Sequence, residues 1–362
     1  MTQTFSEKRA ELARTGLGGS DAAAVLGLHP YKTALDVWLS ATGRPTDPVD
    51  SEAAEWGTRL ESEVLRRYAQ DLAYPNVLVG RDRDGVVSYF YPDGGTKPAT
   101  DDYARFFDTI RPVGSRLFAH IDGLVVDVQT DIVRNLVEAK TTSHWRGQSA
   151  DWGEAGTDEV PQEYIIQCHH YAWCFSKKFV KPITFVHVPV LIAGNKYQLH
   201  TVPIVDKTCW DIAAKLDGWW TAHVEGDVIP EVVGTDNPTL AKLWPSDDGE
   251  SVAAPDDLSG YAFDLGIART RQAHWKRIQA DCEAKIKAEL GEATEMVADD
   301  WRCTWRQGKP SSKTDWQAVL NIVRDNAPDS MLPGIDAAIR QFTTTKPGSR
   351  RFLTYGKAKG EK

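Results

Sequence analysis

A chain of 362 residues, 41% hydrophobic and 26% charged, has the composition of an ordinary soluble globular protein, long enough for two domains or for one with an appendage. No apolar run approaches the roughly 20 residues of a membrane span, the opening MTQTFSEKRAELART has no apolar signal core, and Cys168, Cys174, Cys209, Cys282 and Cys303 form no CxxC pair. A disulfide framework, an iron–sulfur cluster and a thiolate zinc site are therefore not expected, and reduced thiols in a cytoplasm are. Net charge is −9, yet from Trp301 onward 12 Lys and Arg stand against 5 Asp and Glu. That basic end reads either as a handle for nucleic acid or as a solvated tail.

Residues 1–230 form the first expected domain, with helical and strand patterns alternating from residue 16. In GLGGSDAAAVLG (16–27) two glycines precede Ser20 and Asp21, either of which is a good N-cap, and an alanine-rich helix runs to Gly27. The segment is either a capped core helix or a glycine-rich cradle for a phosphate at a helix N-terminus. EWGTRLESEVLRRYAQ (55–70) reads as a helix from about Thr58. Glu63, Arg66, Arg67 and Gln70 share a solvated stripe, whereas Glu61 falls with Val64, Leu65 and Tyr68 on the inward face. A carboxylate there is costly unless it is paired or metal-bound. Residues 80–116, containing DGGTKPATDDYARFFD, read as an inserted loop.

FAHIDGLVVDV (118–128) and IVRNLVEAK (132–140) read as a hairpin centred on Thr130. This register sets Leu124 opposite Leu136 and Asp122 opposite Glu138, although Asp122-Gly123 is also a turn signal. Period-two alternation puts Glu138 and Lys140 on one face. Two carboxylates that close repel unless something positive lies between them. VPQEYIIQCHHYAWCF (160–175) is a helix with Tyr164, Ile165, Cys168, Tyr171, Ala172 and Phe175 inward and Gln167 at the edge of that face. His169 and His170 are adjacent, point different ways and make poor joint metal ligands.

Residues 231–260 are acidic and rich in Pro, Gly and Ser, and read as a linker. The rest, 261–362, is a C-terminal appendage. Leu265, Ala268, Trp275, Ile278, Cys282, Ile286 and Leu290 recur at helical spacing up to a stop at Gly291. Trp301, Cys303 and Trp305 then alternate as in a strand, and RRFLTYG (350–356) reads as another.

Hard oxygen ligands, without cysteine or a usable histidine pair, suit Mg2+ or Mn2+. Two or three carboxylates around such an ion, with room for water and a phosphate, fit phosphodiester hydrolysis. A lysine beside them can position the attacking water or offset charge on the phosphate. Flanking carboxylates raise its pKa, which disfavours general-base action.

Asp122, followed by Glu138-Ala139-Lys140, resembles the D…(D/E)xK signature of the restriction-endonuclease-like nuclease superfamily. GGSDAAAVLGLHPYKTALDVWLSATG (18–43), WGTRLESE (56–63), HIDGLVVD (120–127), VEAKTTSHW (137–145) and VPQEYIIQCHHYAW (160–173) occur in the order seen in YqaJ-type viral recombinases, the phage lambda exonuclease-like family. The resemblance covers roughly residues 14–225. It implies an α/β (α+β) fold with a restriction-endonuclease-like core, a central mixed sheet flanked by helices. It also implies a Mg2+-dependent nuclease, with Mn2+ as a substitute, that degrades linear double-stranded DNA from the 5′ end and leaves 3′ single-stranded tails for phage recombination. By position, Asp122, Glu138 and the carbonyl of Ala139 resemble the metal ligands, with Glu61 the helix carboxylate beside them. Lys140 resembles the catalytic lysine, Gln167 the glutamine of the last core motif and Tyr171 its neighbour. Ser20, with Arg14, matches the contact to the DNA 5′ phosphate. A single-strand annealing protein, a homo-oligomer and a phage or prophage gene expressed in a bacterial cytoplasm follow from the same resemblance.

The sequence departs from the family in two places. The 15 residues between Asp122 and Glu138 exceed what the shortest hairpin needs, and 80–116 has no counterpart. Two other readings stand beside the exonuclease: a structure-selective or nicking endonuclease on the same core, and an inactive DNA-binding or assembly protein. The intact set of Glu61, Asp122, Glu138 and Lys140 argues against the last.

Overall fold

Alternating apolar residues in the middle of the chain build a mixed β-sheet, and the amphipathic segments around it become helices on both faces. The computed structural model describes residues 10–44, 52–143, 152–256, 258–307, 315–328 and 330–342. Strand β1 (Asn76–Arg81) pairs antiparallel with β2 (Val87–Phe90) and with β4 (Gly123–Asp127), and β2 pairs with β3 (Thr96–Pro98). β4 pairs antiparallel with β5 (Ile132–Val137). β7 (Phe185–Ile192) runs parallel to β5 and to β6 (Lys140–Thr142), and β8 (Lys196–Pro203) returns antiparallel beside β7.

The pleat sorts the sheet into two cores. Leu78, Val125 and Val137 meet Leu65, Tyr68 and Ala69 of helix α3 (Glu52–Ala69) on one face. Val77, Val79, Leu124, Val126 and Leu136 belong to the larger core on the other face. That core also takes Cys168, Phe175 and other residues of α4 (Gln162–Phe179), Ile212 and Leu216 of α5 (Asp206–Trp219), and the buried alanines of α1 (Gly19–Val25). β4 is buried along its whole length, as expected of a central strand covered on both sides. The expected central mixed sheet flanked by helices is present.

Several local expectations are corrected. The segment 80–116 is not an inserted loop. β2 and β3 extend the sheet, and the short helix Asp101–Ala104 and the 3-10 turn Arg105–Phe107 follow. Tyr103, Phe106, Phe107 and Ile110 enter the main core. In the hairpin, Leu124 faces Leu136, but a bulge at Val125/Val126 shifts the far end. Gly18, not Ser20 or Asp21, is the N-cap of α1, and the Asp21 carboxylate accepts from the Gly18 N–H at 3.0 Å. α3 begins at Glu52, ahead of the Thr58 expected.

The chain divides into two compact units, Met1–Leu243 and Trp244–Lys362. The expected linker therefore holds structure in its first half. Gly234–Asp236 form a 3-10 turn, and α6 (Asn237–Leu243) sends Leu240 and Leu243 onto Leu35, Trp38 and Leu39 of α2 (Ala34–Thr42). In the second unit, α7 (Leu258–Leu290) starts three residues before the expected 261, and Leu290 is its buried residue. β9 (Glu295–Val297) and β10 (Arg302–Thr304) form a separate two-stranded sheet, followed by α8 (Trp316–Asp325) and α9 (Leu332–Phe342). RRFLTYG (350–356) lies outside the described residues. Among the described residues no helix is long and apolar enough to cross a membrane.

Phe175 is 0% exposed and packs its ring 5.5 Å from that of Phe106 and 4.9 Å from that of Phe179. Phe175→Ala should therefore cost about 3–5 kcal/mol in urea unfolding. A loss below about 1 kcal/mol would mean that the ring does not hold this core together.

Candidate active site

Gly80 lets α3 descend onto the sheet where the charges gather. Gly80 and Gly123 are register partners in β1 and β4. A Cβ on Gly80 would lie 2.9 Å from Leu65 Cδ1 and 3.0 Å from the Asp122 carbonyl, and one on Gly123 would lie 3.0 Å from Leu78 Cδ1. Bare backbone at this crossing brings Glu61 of α3 over the start of β4, where Asp122 is the last residue before the strand. Glu61, Asp122, Glu138 and Lys140 line one cavity of about 480 Å³, with Ala139, Thr58, Thr141, Tyr31 and Tyr164 on its walls.

The hairpin delivers Asp122 to the Glu138-Ala139-Lys140 segment by a backbone contact. Asp122 Oδ2 accepts from the Ala139 N–H at 2.9 Å, while the Glu138 N–H donates to the His187 carbonyl at 2.9 Å and ties the segment to β7. Glu138 is 3% exposed. Its Oε1 accepts from Lys140 Nζ at 2.5 Å and from Gln167 Nε2 at 2.6 Å. Lys140 Nζ also donates to Gln167 Oε1 at 3.2 Å and lies 4.7 Å from the centre of the Tyr164 ring. Gln167 Nε2 reaches the Tyr171 hydroxyl at 3.0 Å. Glu138 Oε2, by contrast, is buried without a hydrogen-bond partner.

Helix α1 is seated against the same network. A Cβ on Gly19 would fall 2.4 Å from Tyr171 Cε1 and 2.8 Å from Gln167 Cγ, so only glycine permits this approach. Ser20, the next residue, is exposed, as is Arg14. Among the described residues, neither joins the hydrogen-bonded knot of Glu138, Lys140, Gln167 and Tyr171. His169 Nδ1 pairs with the Ile165 carbonyl and His170 Nε2 with the Phe118 carbonyl, both away from the carboxylates.

Tyr31 is not legible from the sequence as part of this cavity. It belongs to HPYKT, a turn with no periodicity to mark it. Tyr164 was readable as an inward residue of α4, but its place over the lysine depends on where β6 lies.

The electrostatics are those of an overcrowded acidic site. Burial first, and then the Glu138 charge, push the Glu61 carboxyl up to about 7 against the opposing pull of Lys140 and Arg81. Burial, Glu138 and Glu61 hold Asp122 well above the carboxylate range. Burial alone would lower the Lys140 pKa, but the Glu138 and Asp122 carboxylates outweigh it and hold the ammonium above its usual value. This arrangement thus favours the protonated form of Lys140. Among the described residues no three Asp, Glu, His or Cys side chains form a ready-made metal cage. The donor set nevertheless fits a hard divalent cation: two carboxylates made reluctant to ionise by burial and by the Glu138 charge, beside a buried carboxylate oxygen with no partner.

The folded state binds the Glu61 proton more tightly than the unfolded chain does. Its stabilising effect is complete below the ordinary pKa of 4.5 and is lost as pH rises through about 7. In the absence of divalent cations, Glu61→Gln should flatten the fall in unfolding free energy across that window. An unchanged slope in denaturant titrations would show that Glu61 is not destabilised by its surroundings.

Residues 10–178 match the family model of the YqaJ-like viral recombinase domain. The protein described as "Uncharacterized protein YqaJ" from Bacillus subtilis (strain 168) is 26% identical over 223 residues, 61% of this chain and 57% of that protein. The chain thus spans little more than half the length of that relative. Among solved structures, the alkaline exonuclease LHK-Exo from Laribacter hongkongensis has a TM-score of 0.37 and 15% identity over 66% of this chain and 100% of its own. A putative exonuclease from Eubacterium rectale has a TM-score of 0.35 and 11% identity over 70% of this chain and 96% of its own. Residues 10–178, the part of the chain similar to the YqaJ-like viral recombinase domain, carry Glu61, Asp122, Glu138, Lys140 and Gln167.

Proposed function

We propose that this chain is a metal-dependent deoxyribonuclease that hydrolyses phosphodiester bonds of linear double-stranded DNA, working 5′ to 3′ and leaving 3′ single-stranded tails for phage recombination. The observation that carries the reading is the Glu138 carboxylate: one buried oxygen is clamped by Lys140 and Gln167, the other has no partner, and the residue lines a cavity shared with Asp122 and Glu61. A recombinase domain supplies the setting, since strand resection precedes annealing in recombination.

Asp122, Glu138 and the Ala139 carbonyl, with Glu61 beside them, are the groups that would hold Mg2+, or Mn2+ in its place. When bound, such an ion offsets phosphate charge and acidifies water. The remaining work belongs to the chain. Lys140, kept protonated by its carboxylate neighbours, offers its one remaining N–H to a phosphate oxygen or to the attacking water. Gln167 fixes the Lys140 ammonium and the Glu138 carboxylate at once, and Tyr171 fixes Gln167. The cavity wall of Tyr31, Tyr164 and the two threonines sets the width available to a sugar–phosphate chain. Ser20, next to the close contact of Gly19 with Gln167, would receive the 5′ phosphate with Arg14. A homo-oligomer and a single-strand annealing partner, acting in the cytoplasm of a bacterial host, complete this reading on family grounds.

Linear duplex DNA with Mg2+ should be degraded while covalently closed circles survive, and end-labelled strands should shorten from the 5′ end. Glu138→Ala and Lys140→Ala should each lower turnover by about a hundredfold or more without unfolding the chain. Equal attack on circles and linear duplexes would instead mark an endonuclease. Unchanged rates in both variants would remove the site assignment.

A further inference from the structure

We propose that Arg81, Arg111 and Lys178 form a cationic strip that holds the phosphodiester backbone of DNA as it runs toward the carboxylate cavity. This rests on the nuclease reading above and adds a surface to it.

The strip is built around residues 107–120, the stretch that leads directly into Asp122. Ile110 and Ala119 pair across it as an isolated antiparallel bridge. Arg81 Nη2 donates to the Phe107 carbonyl at 2.8 Å and its Nη1 to the Gly85 carbonyl at 3.0 Å. Lys178, in the last turn of α4, donates to the Thr109 carbonyl at 3.1 Å. Arg111 donates to the Thr15 carbonyl and hydroxyl at 2.7 and 2.9 Å and lies 5.0 Å from the Phe118 ring centre. His120 Nε2 pairs with the Thr109 hydroxyl at 2.9 Å. Burial, then the charges of Arg81 and Arg111, hold the His120 imidazole below its usual range, and Arg81 is also felt by Glu61. The cations thus surround one short segment that leads to Asp122, and Arg81 follows Gly80, whose backbone lies against the Asp122 carbonyl.

All of these partners are neutral. Elsewhere on this unit exposed cations face carboxylates, as in Arg67–Asp71, Arg83–Glu63 and Lys207–Asp211. Among the described residues Arg81, Arg111 and Lys178 form no ion pair, and Asp108, exposed in the same segment, pairs with none of them. In a chain of net charge −9, neighbouring cations left without counter-charges, but held in place by carbonyls, are a surface preset for an anion. A repeating phosphate backbone matches a row of such groups, and the adjacent cavity gives it a destination.

The test is the salt dependence of duplex affinity, measured by fluorescence anisotropy of a labelled linear duplex with EDTA present, on the full chain. Each phosphate contact contributes about 0.9 to the slope of log K against log salt. Lys178→Gln, Arg111→Gln and Arg81→Gln should each reduce the slope by about that amount, Lys178→Gln together with Arg111→Gln by about twice it. Arg111→Lys should restore the slope, and Lys207→Gln, on a paired lysine, should leave it unchanged. Lys178 is exposed at a helix end, so its variant removes charge with little risk to the fold. Wild-type slopes in all three glutamine variants of a chain that binds DNA would overturn the strip and spare the nuclease reading. Failure of the unaltered chain both to bind and to cleave duplex DNA would overturn both.

Discussion

The buried Glu138 carboxylate is the constraint around which the first unit is organised. A carboxylate almost without solvent exposure is tolerated only where its oxygens are satisfied, and here one is and one is not. The satisfied oxygen accepts from a lysine and a glutamine, and this fixes the direction in which the other points. Lys140 is in turn held by the carboxylate and by Gln167, so its charge cannot swing away to water. A like-charged cluster of Glu61, Asp122 and Glu138 beside a single ammonium is poorly balanced by itself. Its strain would be relieved by a divalent cation, which is the physical reason for linking the cavity with metal-assisted phosphodiester chemistry.

Distant parts of the fold serve this arrangement. Gly80 lets α3, which carries Glu61, pack closely on the sheet through Leu65, and Gly19 lets α1 close on Gln167 and Tyr171. The parallel pairing of β7 with both β5 and β6 leaves Glu138 and Ala139 between two ladders, where their backbone can meet the His187 carbonyl and the Asp122 side chain. Asp122, Glu138 and Ala139 therefore sit at strand ends and Glu61 and Gln167 on long helices, while the 107–120 segment next to them is flanked by Arg81 of β1 and Lys178 of α4.

Much of this was legible from local pattern. Period-two alternation placed Leu124 against Leu136 and put Glu138 and Lys140 on one face, and the helical period put Glu61 with Val64, Leu65 and Tyr68. These signals are strong because burial on one face leaves few alternative registers. The bulge at Val125/Val126 was not legible, since a one-residue insertion leaves the apolar content of both strands unchanged. Residues 80–116 read as a loop because β2 and β3 have four and three residues, too few to show alternation between their glycine turns. Ser20 seemed a natural cap for α1, but the Asp21 side chain folds back to Gly18 and moves the helix start by two residues. The sequence marks an apolar stripe along α7, yet Trp275 and Ile286 are exposed, because periodicity reveals a face but not what covers it.

The most direct test of the central claim asks whether the unpartnered oxygen of Glu138 belongs to a divalent-cation site. Mn2+ uptake can be followed by electron paramagnetic resonance on the full chain without DNA, and compared with that of Glu138→Gln, which keeps the shape and the hydrogen-bonding reach of the side chain but removes its charge. Saturable uptake by the unaltered chain that is lost in the glutamine variant is the expected result. Equal uptake by both, or none by either, would contradict a metal site at Glu138.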